Sequence, residues 1–548
     1  MAGVGRLGRR RRLAMRALLT ALCLALALPV LGVLGAWFAF DAAAWAVLRH
    51  QAATVLPEYA LQSALLAAAV ALGVMLVGAL TASLVALTDF PGRRVFEWAL
   101  LLPLAMPAYV LAYAWTDALQ FAGPIQSALR DAFGWRGALW PDPRNAWGAA
   151  LLFVLCLYPY VYLLARAALA ERAVQMMEAA RLLGAPLVRR VREVALPMAR
   201  PALAAGTALA LMEVLADYGV GSYFGLSTFS TGIYRAWLVM NDAVAAAQLA
   251  SVLLLVVALL LLAERAAQRR LRWAASRAGP QHSAEARPVV LHGGAAVAAW
   301  LACALPVALG FVLPVLWLLR LLWQEARGSE FGLPLARFEQ WALASLQLAG
   351  TAALLATLLA LALGFALRSR PGALLGGAAR MLSLGYAVPG AVIAVGVLLP
   401  VGWVQARWPD AGLAALATGT LAGLVYACLT RFSAVALQSV EAGYARVPLS
   451  IDETARLLGT SPARVFARLH LPLMRRSAFA AALLVFVDVM KELPATLVLR
   501  PFGSDTLAVV AYQFARDERL AEAALPSLAI VAVGLLPVVL LSRAIRAR

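Results

Sequence analysis

The sequence is almost without lysine. Of its 47 basic residues only Lys491 is not arginine. That lysine stands in "VMKELP", with no glycine-rich approach and no following Ser or Thr. The chain therefore lacks the Gly-Lys-Ser/Thr loop that cradles nucleotide phosphates, and ATP hydrolysis by that chemistry is excluded. Cysteine is nearly as scarce. Cys23, Cys156, Cys303 and Cys428 each lie inside an apolar run, far apart, giving neither a disulfide framework nor a metal spacing. His50, His282, His292 and His470 show no ligand spacing and read as ordinary loop or helix residues, so no metal site is expected. Charge is sparse too, at 14% of residues, where soluble domains carry about a quarter.

Apolar sequence fills the space: 63% of residues are hydrophobic and the mean hydropathy is +0.83. Runs of 18 or more apolar residues read as membrane spans. They fall near 17–40, 58–88, 95–118, 147–166, 201–222 and 245–263, then near 294–322, 341–367, 373–402, 412–430, 477–499 and 521–542. The basic N-terminus could open a cleaved export signal, but its apolar run continues through Phe40, and a retained first helix is the expectation. The net charge of +19 would suit nucleic acid, yet the arginines are spread among short loops. Alternating sides along the chain puts 33 arginines on one face of the membrane and about 12 on the other. Such a bias marks the cytoplasmic face and places both termini there. Membrane lipid is an expected partner and nucleic acid is not.

The segment "EAARLLGAPLVRRVREVALP", Glu178 to Pro197, returns as "ETARLLGTSPARVFARLHLP" from Glu453 to Pro472, 275 residues later. An even number of spans separates the copies, so six-helix units are duplicated in parallel. The division is a first repeat at 1–264 with a loop at 167–200, a linker at 265–293, and a second repeat at 294–548 with a loop at 431–476. Each copy starts with good helix formers behind an acid, which a helix N-terminus favours. Gly184 and Gly459 suit a left-handed helix end. Pro186 and the Ser461-Pro462 pair suit the start of a second short helix, with apolar residues on one face and arginines on the other. One such loop would read as an interfacial helix held by anionic lipid. Two matched copies read as two rigid handles for a duplicated partner.

These loops resemble the EAA motif of permease subunits in binding-protein-dependent ABC importers. "LLPLAMPAYVLAYAWTDALQFAGP", "ADYGVGSYFGLSTFSTGIYRAW" and "DVMKELPATLVLRPFGSDTLA" resemble the fused permeases of the ferric iron uptake group. The resemblance implies an all-α polytopic protein of the bacterial inner membrane, with about 12 transmembrane helices as two six-helix repeats in the type I importer fold. It implies two ATPase subunits docked on Glu178, Ala179, Ala180, Gly184, Leu196 and Pro197, and on Glu453, Ala455, Gly459, Leu471 and Pro472. It also implies a periplasmic substrate-binding protein. The chain itself would bind no cofactor and be no enzyme, ATP being used by the partner. Thr454 in place of the first alanine, and Arg476 opposite Pro201, depart from the pattern and make the two handles unequal. Thiamine and phosphonate-type ligands are the alternative substrates. A twelve-helix secondary transporter is the rival class: it shares the twelve spans, parallel halves, internal termini and polar central loop, and "DFPGRR" at Asp89–Arg94 resembles its loop motif. That rival has no place for the paired loops. A channel is a third class, but nothing reads as a selectivity filter.

Acids inside apolar runs are costly and mark a cavity or a partner. Glu213 and Asp217 are four apart and expected on one helix face. Asp488, Lys491 and Glu492 repeat the pattern. Two readings stand: an ion-pair cluster, or an oxygen-lined path suited to a hard cation. The outer segments Tyr223–Arg235 and Pro501–Asp517, with Arg235 and Arg516, are the expected docking surface for the binding protein.

Overall fold

The computed structural model describes residues 2–35, 37, 41–170, 174–277, 288–328, 332–368 and 372–546. Residues 278–287 of the expected linker lie outside them, as do Arg172 of the first loop and Arg370. Leucine, alanine and valine dominate, and helix follows almost everywhere. A two-residue parallel bridge, Thr88–Asp89 with Val289–Val290, is the one β pairing among the described residues.

Ten helices among the described residues are long and apolar enough to cross a membrane. An eleventh span is formed if Arg93–Ala105 and Ala108–Phe133, bent by 90°, count as one. The expected twelve included 477–499. There the helix Leu471–Met490 has 20 residues, about 30 Å at a rise of about 1.5 Å each. That is long enough, but Arg475, Arg476 and Asp488 dilute its apolar character.

Five expected spans are broken, the 412–430 run among them at extended Thr420, between Leu413–Gly419 and Leu421–Tyr444. The 95–118 run becomes Arg93–Ala99, a tight turn Leu102–Ala105 and then Ala108–Leu119. The 373–402 run becomes Ala373–Leu382, the turn Gly385–Ala387 and Gly390–Arg407. The cause is local. Pro107 and Pro389 push the preceding residue out of helix, and Met106 (φ −92°, ψ 114°) and Val388 (φ −77°, ψ 124°) are extended. The 201–222 run stops at Ala216 and resumes as Gly219–Tyr223, and the 477–499 run stops at Met490 and resumes as Pro494–Leu499.

The duplication is visible in element boundaries. Ala146–Ala168 starts behind Asn145, whose side chain accepts from the amides of Trp147 and Gly148. Leu421–Tyr444 starts 275 residues later behind Thr420, whose hydroxyl accepts from Ala422 N–H. Each cap satisfies donors that the first helical turn leaves open.

Compactness divides the chain otherwise than into sequential halves. Unit one comprises Met1–Leu48, Ile233–Ser251 and Ala336–Val509; unit two comprises Arg49–Gly232, Val252–Leu335 and Val510–Arg548. Within unit one, Ala2–Gly35 lies along Gly390–Arg407. Gly396 makes this possible, since a Cβ there would sit 2.0 Å from the Pro29 carbonyl oxygen. Tyr426 fixes the same helix by donating its hydroxyl to the carbonyl of Ala25. Within unit two, Gly206 of Leu196–Ala216 faces Val161 of Ala146–Ala168, where a Cβ would come within 2.7 Å of backbone. Small residues at such crossings let membrane helices approach closely.

Candidate functional site

The two quoted segments fold as expected. Helix Val174–Leu182 carries Glu178, Ala179 and Ala180 and ends at Gly184, whose φ is +80°. Gly184 N–H donates to the Arg181 carbonyl at 2.9 Å and Ala185 N–H to the Ala180 carbonyl at 3.0 Å. This pair of bonds closes the carbonyl end of the helix. Helix Ser450–Leu457 carries Glu453 and Ala455 and ends the same way: Gly459 has φ +67° and Thr460 N–H donates to the Ala455 carbonyl at 3.0 Å. Short helices follow, Leu187–Arg190 and Pro462–Val465, then helices starting at Leu196-Pro197 and Leu471-Pro472.

Three details differ from the expectation. Pro186 stands just before its helix rather than in its first turn, and the Ser461 side chain makes no capping bond. A five-residue π turn intervenes in each copy, Val191–Ala195 and Phe466–His470. The wider turn shifts the face on which residues emerge. Arg190 is buried and Val188 is exposed, so arginines and apolar residues do not segregate cleanly. In addition Arg431, assigned to the second loop, lies inside helix Leu421–Tyr444.

The tips were not anticipated. Leu182 and Leu183 are 89% and 88% exposed, and Leu457 and Leu458 are 88% and 78% exposed. Glu178, Ala179 and Glu453 are exposed beside them, while Ala180 is half-buried and Ala455 is buried. Leu196 and Pro197 are half-buried, and Leu471 and Pro472 exposed. A Leu-Leu pair before a helix-ending glycine was the available signal.

The intramembrane acids do not pair along helix faces. Leu196–Ala216 ends before Asp217, which is extended (ψ 130°), and the Asp217 carboxylate accepts from Val220 N–H at 2.8 Å. It therefore caps the short helix Gly219–Tyr223, and the shared face with half-buried Glu213 is lost. In unit one, Glu492 lies beyond the end of Leu471–Met490 and is 5% exposed. One carboxylate oxygen receives Arg431 Nη1 at 2.5 Å; the other accepts from Ala495 N–H at 3.1 Å. Lys491 lies 3.6 Å from Asp488, both one-quarter exposed. Arg431 is the partner that sequence reasoning missed, because a lone arginine at the edge of an apolar run reads as a loop residue. Arg235 and Arg516 are both exposed, the first opening the π turn Arg235–Val239, the second closing helix Leu507–Arg516.

Residues 75–273 and 356–548 each match the family described as "Binding-protein-dependent transport system inner membrane component". Together they span well over half of the sequence. The chain belongs to this family. It is thus an ABC importer permease with the type I fold, carried twice in one polypeptide, and a multi-pass membrane protein. The permease is 24% identical over 484 residues to the Fe(3+)-transport system permease protein of Haemophilus influenzae, covering 87% of this chain and 88% of that one. It is 27% identical over 183 residues to a putative 2-aminoethylphosphonate transport system permease protein of Salmonella paratyphi A, covering 33% and 63%. It is 31% identical over 136 residues to the molybdenum transport system permease protein of Escherichia coli, covering 24% and 55%. For a permease of this family, two exposed loops with leucine tips are surfaces that water solvates poorly and a partner can bury.

Proposed function

We propose that this permease imports ferric iron, taking it from a periplasmic binding protein and drawing on ATP hydrolysed by two separate subunits. The observation that carries the substrate is coverage: the ferric-transport relative aligns along nearly the whole fused chain, whereas the phosphonate and molybdenum relatives align over a third or less. The phosphonate relatives keep that substrate as the second reading.

The two ATPases dock on the paired loops. Leu182-Leu183 and Leu457-Leu458 supply apolar anchors, with Glu178 and Glu453 beside them, and the left-handed glycines hold the angle of each tip. Buried apolar anchors ringed by polar groups are where binding energy concentrates. The arginine bias supports cytoplasmic termini and loops, which puts Arg235 and Arg516 outside as contacts for the binding protein. Glu213, Asp217, Asp488, Lys491 and Glu492 are the proposed path residues, Asp217 and Glu492 each also giving one oxygen to a backbone amide.

The test is uptake by proteoliposomes holding the permease, its ATPase and its binding protein. Radiolabelled ferric ion should accumulate with ATP and not without it, and excess 2-aminoethylphosphonate should not compete. Competition by the phosphonate, with no iron accumulation, would replace the ferric reading by the second one.

A further inference from the structure

The two loops match in sequence but are held differently. In the second, Arg368 closes helix Leu335–Arg368 and its Nε donates to Asp452 Oδ2 at 2.6 Å. Its Nη1 donates to the Tyr444 carbonyl at 3.1 Å, and its Nη2 to the carbonyls of Val447 and Pro448, both at 2.8 Å. Those carbonyls belong to the chain leaving helix Leu421–Tyr444. The other Asp452 oxygen, Oδ1, meets His470 Nε2 at 2.7 Å. A carboxylate can only accept there, so Nε2 carries the proton. His470 is fully buried, with the rings of Phe365 and Tyr444 at 5.1 and 5.5 Å. Burial alone would raise the Asp452 carboxyl, but the bonds from Arg368 and His470 and their charge hold it below its ordinary value. One carboxylate thus ties the loop helix Ser450–Leu457 to a long helix and to the π turn Phe466–His470.

Moving back 275 residues gives Arg93, Met177 and Ala195 in place of Arg368, Asp452 and His470. Met177 and Ala195 are buried and apolar, and Arg93 Nε donates to the Val85 carbonyl instead. No ion pair reaches helix Val174–Leu182 among the described residues. Apolar contact is non-directional and tolerates sliding, whereas charge-assisted bonds from two sides fix position and angle.

We propose that Arg368, Asp452 and His470 are positioning residues that latch the second loop helix to its unit, so that the two loops transmit unequally: the second acts as a stiff strut and the first yields. This rests on reading the loops as ATPase docking elements. The decisive variant is Asp452→Met with His470→Ala, which gives the second loop the residues of the first and refills the space with apolar groups. Hydrogen exchange at Ser450–Leu457, measured on the permease alone, should speed up in the variant while exchange in helix Gly390–Arg407 of the same unit holds, even as loss of the buried Arg368–Asp452 pair lowers the thermal midpoint. In the assembled complex, substrate taken up per ATP hydrolysed should fall several-fold, and the matching change Met177→Ala should leave that ratio nearly unchanged. His470→Gln, whose amide can donate to the same oxygen, should restore much of the ratio that His470→Leu loses. Unchanged exchange overturns the latch. Faster exchange with a normal uptake-to-ATP ratio overturns its role in transmission. A wild-type permease that binds no ATPase would instead remove the docking reading, with the exchange result still deciding the latch.

Discussion

Gly184 and Gly459 sit at φ +80° and +67°, with open space where a Cβ would point. A substitution there meets no neighbour, so its cost lies wholly in the backbone. A β-branched residue resists a left-handed conformation, whereas asparagine visits it readily. Gly184→Val and Gly459→Val should therefore each swing a loop tip, at a local cost of about 1–3 kcal/mol. Uptake should fall at least tenfold, roughly the effect of about 1.4 kcal/mol lost from coupling. Gly184→Asn and Gly459→Asn should remain near wild type. Uptake assays normalised to membrane-inserted protein check this, and valine variants with full uptake would reduce the loops to linkers. These glycines were legible because a left-handed helix end has its own residue preference. The capping roles of Asp217 and Glu492 were not: a carboxylate four residues along an apolar run reads as helix unless the break after Ala216 or Met490 is already known.

At the scale of the element, the loop helices were legible in extent and order, and their surroundings were not. Helix formers, an acid near the start, a glycine at the end and Leu-Pro at the next helix are local signals, and the structure follows them in both copies. The π turns at Val191–Ala195 and Phe466–His470 have no residue code, and the burial of Arg190 and exposure of Val188 just before the first were equally unread. The leucine tips follow a similar logic. A residue almost 90% exposed contributes little to folding, and surface changes stay within about ±0.5 kcal/mol. As an interface anchor the same residue can be worth about 2 kcal/mol or more. Leu182→Ser with Leu183→Ser, or Leu457→Ser with Leu458→Ser, should leave the thermal midpoint of the purified permease within a degree or two while pull-down of the ATPase drops at least tenfold. A large fall in midpoint with undiminished pull-down would mean that the tips serve folding.

For the whole molecule, the count of apolar runs, the arginine bias and the 275-residue register all lay in the sequence, because each is a property of one strand of text. Which distant segments share a compact unit did not. Nothing in the composition of Ala2–Gly35 names Gly390–Arg407 as its neighbour; only the fit of Gly396 against Pro29 does. The two repeats have also diverged where ions are buried. Arg431 and Glu492 of unit one correspond to Cys156 and Asp217 of unit two. Cys156 there directs its thiol to the Met106 carbonyl at 3.0 Å, and the Asp217 carboxylate accepts from Val220 N–H. The Arg431–Glu492 pair is the buried ion pair of this set, and on the proposed reading Glu213 and Asp488 are tested apart from it. Removing one member of a buried pair leaves an uncompensated charge and costs about 3–5 kcal/mol. Glu492→Gln should accordingly lower the yield of folded permease and its thermal midpoint by several degrees. Glu213→Gln and Asp488→Asn remove charge from half-buried sites and should leave the midpoint and the ATPase pull-down intact while ferric uptake falls several-fold. Full uptake in both would remove Glu213 and Asp488 from the path, and failure of either to assemble would assign them to the scaffold with Glu492.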